Sequence, residues 1–173
     1  MKNRALYMNG KLNLAFKELD IPKPQPGEVL LKVGYCGVCG SDVHFYESGC
    51  IGATPIKGDL ILGHEAAGTV EAVGEGVTNV KVGDRVVLEP GIGCGHCEYC
   101  KSGRYNLCPD MQFISCPPYQ GAMRNYITHP AHLVYPLPEY VSTLEGALIE
   151  PLCVGMHAAN LGGVKLGDTV VIL

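Results

Sequence analysis

Cys94, Cys97, Cys100 and Cys108 stand in the run G-C-G-H-C-E-Y-C-K-S-G-R-Y-N-L-C, separated by two, two and seven residues. Four thiolates at that spacing can wrap one tetrahedral Zn²⁺, each sulfur about 2.3 Å from the ion. Such a site is closed: it ties a loop together and leaves no position for a substrate. Four cysteines could instead form two disulfides, which needs an oxidising compartment. Residues 1–16 lack the basic and apolar regions of a secretory leader, and no apolar run reaches the roughly 18 residues of a membrane span. A cytoplasmic location with reduced thiols is therefore expected, and with it zinc rather than crosslinks.

A metal that does chemistry must keep one coordination position open, so its ligands have to come from elsewhere in the chain. Two segments offer donors: Cys39-Gly40-Ser41-Asp42-Val43-His44 and Gly63-His64-Glu65. Taken singly, each has a plainer reading. A lone cysteine is commonly a small buried hydrophobe, and a His-Glu pair is commonly surface.

The elements that would position these residues follow from composition and pattern. With 47% hydrophobic residues in 173, the chain can bury one domain's core. Its formal net charge of −4 gives no general attraction for nucleic acid or anionic lipid, so neither is expected as a partner. The 23 glycines and 12 prolines are dispersed, which suits many short strands and tight turns. Apolar stretches at 29–33, 68–73 and 84–88 read as strands, with turns at Pro26-Gly27, Gly74, Gly76 and Gly83. The first two-thirds is thus mainly β. Ser142-Thr143-Leu144-Glu145 has the form of a capping box and predicts a helix start. Pro151 fits only a first helical turn or a kink, so a second helix is predicted over 151–159, stopping at Gly162-Gly163 and meeting the first at Glu150-Pro151. The β-branched run at 169–173 predicts a strand buried on both faces, whose neighbours the chain does not contain.

Four segments together resemble the medium-chain zinc-dependent alcohol dehydrogenases: C-G-V-C-G-S-D-V-H at 36–44, G-H-E-A-A-G at 63–68, V-G-E-G-V-T-N-V-K-V-G-D-R-V at 73–86, and A-L-I-E-P-L-C-V-G-M-H-A at 147–158. Glu150-Pro151, G-R-Y-N-L at 103–107 and Cys116-Pro117-Pro118 are similar to the polyol branch typified by sorbitol and xylitol dehydrogenase. The resemblance implies a GroES-like, partly open β-barrel over 1–150 with a zinc lobe at about 90–110. Residues 151–173 would then begin a nucleotide-binding Rossmann domain, cut short after its first strand. The dinucleotide fingerprint itself is missing, since Gly74-x-Gly76 followed by Asn79 is not G-x-G-x-x-G and falls on a turn between strands.

What the resemblance implies for the site is specific. Cys39 and His64 become direct ligands of a catalytic zinc, completed by Glu65 or Glu150 together with water. Ser41 becomes the first hydroxyl of a proton relay, His44 its outlet to solvent, and Tyr46 a residue lining the substrate pocket. Zinc with an open position lowers the pKa of a bound hydroxyl toward neutrality, which is what oxidation of an alcohol by a nicotinamide requires. The implied whole is a two-zinc, NAD-dependent oxidoreductase that converts a secondary alcohol of a polyol (sorbitol, xylitol or iditol) to a ketose and is homo-oligomeric at full length. The present residues would be its catalytic half, inactive alone. Two alternatives stand beside this: a non-catalytic zinc-binding GroES-like module, or a family enzyme for another alcohol such as butanediol or threonine. Cys36 is read as a packed thiol and His96 as a bystander, while Cys50, Cys116, Cys153, His129, His132 and His157 have no partner spacing.

Overall fold

A computed structural model describes residues 2–172 of the chain. Strands β1 (Asn3–Met8) and β2 (Leu14–Leu19) form an antiparallel hairpin, and β3 (Glu28–Cys36) leads into helix α1 (Gly40–Ser48). Short strands β4 (Cys50–Ile51) and β5 (Thr54–Pro55) pair with each other, and β6 (Leu60–Ile61) pairs with β1. Strands β7 (Ala66–Val73) and β8 (Arg85–Leu88) follow. Strand β9 (Gly91–Ile92) enters a lobe containing α2 (Glu98–Lys101), and β10 (Gln112–Phe113) leaves it. Strands β11 (Tyr126–Pro130) and β12 (Val134–Pro136) precede helices α3 (Thr143–Ala147) and α4 (Ile149–Leu161).

The strands make a five-stranded antiparallel sheet in the order β11-β3-β7-β8-β12 and a three-stranded sheet in the order β2-β1-β6. The two are joined where β1 runs beside the segment leading into β11. The side chain of Asn3 donates to the Tyr126 carbonyl and accepts from its N–H, both at 2.9 Å, and Leu6 N–H donates to the Met123 carbonyl at 2.8 Å. The mainly β, partly open barrel expected from the sequence is present.

Its interior is filled by Val29 and Leu31 of β3, Val70 of β7, Val86 and Leu88 of β8 and Ile127 of β11, all essentially inaccessible. Each such side chain contributes about 1.5–3 kcal/mol by leaving water. A second cluster of Met8, Phe45, Leu60 and Leu62 clamps α1 against β1 and β6. Ala147 of α3 packs with Ala67 and Val87 on the opposite face of the large sheet.

The strands expected at 29–33, 68–73 and 84–88 correspond to β3, β7 and β8, with the first extended to Cys36 and the second begun at Ala66. Ser142 caps α3 as expected: it accepts from Glu145 N–H at 3.2 Å, and Glu145 Oε2 accepts from Ser142 N–H at 2.8 Å. The helices meet at Leu148 rather than at Glu150-Pro151, because Pro151 fits inside the first turn of α4, where its missing N–H has no partner to lose. Gly162 ends α4. The strand expected at 169–173 does not form over 169–172, where Val170, Val171 and Ile172 are exposed and no described strand offers a ladder to join. Leu173 lies outside the described residues. No helix among the described residues is long and apolar enough to cross a membrane.

Candidate metal centres

The lobe is closed at its base by the β9–β10 pair, in which Phe113 faces Gly91 and Gln112 faces Ile92. Within it the sulfurs of Cys94, Cys97, Cys100 and Cys108 all lie within 4.8 Å of one another, and Cys94 and Cys100 are 4.0 Å apart. A tetrahedron with arms of about 2.3 Å has edges of about 3.8 Å, so this donor set fits zinc. Backbone N–H groups are aimed at the sulfurs: Cys97 to Cys94, Cys100 to Cys97, and Cys94 to Cys108, each at 3.4 Å. The N–H groups of His96 and Cys97 at its sulfur bring the pKa of Cys94 down to about 6, whereas desolvation and the neighbouring thiols push that of Cys100 up to about 12. Four thiols packed this closely ionise together only around a cation.

The second donor set lies where β3 and β7 diverge. Gly37 N–H donates to the Glu65 carbonyl at 2.8 Å, which holds the loop carrying Cys39 beside the loop carrying His64. Register shifts in the β3–β7 pairing, one of them between Val33 and Tyr35, re-aim the strand ends just before these loops. Two glycines are required here. A Cβ on Gly37 would run into Glu65 Oε2. Gly63 has φ +87°, and a Cβ there would sit 2.6 Å from both Cys36 Sγ and Met123 Cγ. Cys39 Sγ, a ring nitrogen of His64 and a carboxylate oxygen of Glu65 consequently converge within 4.8 Å. Thiolate, imidazole and carboxylate together are a zinc donor set.

Asp42, three residues into α1, organises this convergence although it was not among the expected site residues. It is buried, and it accepts hydrogen bonds from Cys39 N–H at 3.0 Å, Gly63 N–H at 3.1 Å and the Ser115 hydroxyl at 3.3 Å. Its one signal in the sequence was its place three residues after Cys39, the acidic position of a capping box. His64 is buried, with its ring meeting that of Phe113 edge-on at 5.2 Å between centroids.

The triad opens on a cavity of about 480 Å³ whose wall includes Ser41, Phe113, Ser115, Cys116 and Glu150. Glu150, in the first turn of α4, lines this cavity but stands outside the cluster of converging donors. Burial raises its pKa, and the charge of Glu65 pushes the same way, while His64 pulls it down. Of the two glutamates weighed from the sequence, Glu65 is therefore the one grouped with Cys39 and His64. Glu150 also borders a larger cavity, about 740 Å³, whose other residues include Tyr105, Cys153 and His157.

Ser41 and His44 are both on α1, Ser41 at the cavity and His44 exposed, with no hydrogen bond between them. Tyr46 does not reach the cavity. Five residues along α1 from Ser41, it points about 140° away around the helix and lines a separate groove with Leu14, Val43 and Met123. Cys36 is a packed thiol, its pKa pushed up to about 12 by burial, with Asp42 and Glu65 adding to the effect. His129, which had no assigned role, is buried and donates from Nε2 to the Glu89 carbonyl at 2.8 Å.

Residues 25–139 match the family model of the alcohol dehydrogenase GroES-like domain. The chain belongs to that family. The chain is 48% identical to sorbitol dehydrogenase of Macaca fascicularis over 99% of its own length and 48% of the relative's. Among solved structures it is similar to ECK1772 of Escherichia coli, described as an oxidoreductase/dehydrogenase of unknown specificity involved in membrane biogenesis. That likeness has 47% identity and a TM-score of 0.91, and it covers 98% of this chain and 49% of the other. The alcohol dehydrogenase RspB of Escherichia coli CFT073, solved with the cofactor NADH, gives 32% identity and a TM-score of 0.87 over 97% of this chain and 48% of that one. The GroES-like chain spans about half the length of the curated relatives it matches.

Proposed function

We propose that these residues form the metal-binding half of a zinc-dependent dehydrogenase that oxidises a secondary alcohol of a polyol to a ketose with NAD. The observation that carries this reading is the convergence of Cys39, His64 and Glu65 on one cavity. In support, the chain is 48% identical to a sorbitol dehydrogenase. Two zinc ions per chain are assigned, one to the triad and one to Cys94, Cys97, Cys100 and Cys108. Zinc in the triad would supply Lewis-acid polarisation of the substrate hydroxyl.

The chain's own residues do the rest. Asp42 fixes the backbone at Cys39 and Gly63, and so the angle at which the sulfur and the imidazole approach each other. Ser41, on the cavity wall, accepts the proton of the substrate hydroxyl as it gives up its own, and exposed His44, about one helical turn further along α1, passes a proton to solvent. With no bond between Ser41 and His44, a water or a substrate hydroxyl has to complete that path. Glu150 closes the cavity from the α4 side and presents a carboxylate to the polyol's other hydroxyls or to the ion. Tyr46 contributes no substrate contact in this arrangement.

The test is NADH formation by the full-length protein with sorbitol, xylitol, butanediol and threonine, alongside the isolated 173 residues. The polyols are the expected substrates, at full length only, because the sequence contains no G-x-G-x-x-G. Turnover of butanediol or threonine alone would remove the polyol assignment, and turnover by the 173 residues alone would remove the half-enzyme assignment.

A further inference from the structure

The zinc lobe carries a second group of donors on its outer rim. Cys94 Sγ, a ring nitrogen of His96 and a carboxylate oxygen of Asp110 lie within 4.8 Å of one another, and Cys94 is at the same time a member of the four-thiol cluster. The sulfur is half-buried, whereas His96 and Asp110 are exposed. His96 is folded back over Cys94 from the left-handed turn at Gly95, which has φ +76°. Its Nδ1 is 2.8 Å from the Cys94 carbonyl oxygen. A carbonyl can only accept, so Nδ1 carries the proton and Nε2 is left with a free lone pair. Metal-ligating histidines are commonly held this way, with one ring N–H donated to a carbonyl and the other nitrogen turned to the ion.

Charge favours a cation at this point. A Zn²⁺ held by four thiolates keeps a net charge of about −2, and a thiolate bound to one ion retains lone pairs for another. Asp110 adds a further negative charge and forms no ion pair among the described residues. One thiolate, one imidazole and one carboxylate make a borderline-soft set suited to zinc or cadmium rather than to magnesium or calcium.

We propose that the lobe binds two divalent ions: the enclosed one, and a second, weaker and exchangeable one on the rim, held by His96 and Asp110 and bridged through Cys94 to the first. Water completes the coordination of the rim ion. The inference rests on the four-thiolate zinc of the lobe and is independent of the dehydrogenase reading.

The experiment is zinc titration of the 173-residue chain in competition with a chromophoric chelator, followed by NMR of the histidine ring nitrogens. Wild type is expected to take one equivalent beyond those retained after dialysis, with the His96 ring signals moving as it binds. His96→Ala and Asp110→Asn should each weaken that added step by about tenfold or more and leave the retained zinc unchanged. No added equivalent in wild type, or an added equivalent that both variants keep with the His96 signals still, overturns the rim site. Absence of retained zinc in the lobe would instead overturn the four-thiolate reading beneath it. Exposed His44, His132 and His157 offer zinc other places to bind, and the two variants separate that binding from the rim.

Discussion

The Gly63 backbone N–H donates to Asp42 Oδ1 at 3.1 Å, joining α1 to the loop that carries His64. The other oxygen of the same carboxylate holds Cys39 N–H, so one buried side chain spans both segments of the triad. Asp42→Asn is expected to lower zinc affinity at Cys39, His64 and Glu65 by about 10- to 100-fold, the usual cost of losing an outer partner of metal ligands. Zinc in the lobe should survive dialysis, since its four thiols are untouched. Competition with a graded series of chelators measures both, and equal affinities in variant and wild type would show that Asp42 does not hold the ligands.

Gly37→Ala tests the same site from the opposite wall. Its new methyl group would occupy the place of Glu65 Oε2, and Glu65 has to rotate away from Cys39 and His64. The expected outcome is a folded chain that keeps the lobe's zinc and loses the triad's. Metal analysis after dialysis, together with circular dichroism, reads both halves of that statement.

Within the lobe, Cys100→Ser leaves three thiolates around an ion suited to four. Zinc should leave this site on dialysis, and hydrogen exchange should accelerate across 91–113. The barrel core around Val29, Val70 and Val86 should stay protected, since none of its contacts depends on the lobe's metal. Loss of protection in both regions together would mean that the lobe is part of the barrel's folding unit.

His129 gives the fold a pH dependence of known sign. Burial holds its pKa down at about 4, against an ordinary value near 6.5. Between these values the unfolded chain binds a proton that the folded chain refuses, so stability is fully present above about pH 6.5 and declines as pH falls toward 4, by roughly 3 kcal/mol in all. Urea unfolding of wild type and His129→Gln at pH 7 and pH 4.5 isolates this contribution from the acid release of zinc, which both proteins share. A difference in slope is expected, and parallel curves would contradict it.

Much of the fold was legible in the sequence because the signals were local. Short apolar runs between turn signals marked β3, β7 and β8, and Ser142 with Glu145 marked the start of α3. The spacing of the four cysteines announced their clustering. Helix α1 was not legible: G-S-D-V-H-F-Y-E-S is poor in strong helix formers, and tertiary packing of Phe45 against Met8, Leu60 and Leu62 holds it in place. The role of Asp42 was hidden for the same reason, since its partners Gly63 and Ser115 are brought to it only by the fold. The groove that Tyr46 lines could not be read ahead, because its bearing depends on the helical turn of α1, which the sequence did not announce.

Phe113 belongs to both metal centres: its backbone pairs with Gly91 at the base of the lobe, and its ring rests against His64. Ions held at both centres would therefore be linked ligands. Whatever order an ion in the lobe imposes on β10 would be order that His64 no longer has to acquire when an ion binds there. By reciprocity, filling the triad would then tighten the lobe by the same factor, and a chelator that strips one centre would loosen the other.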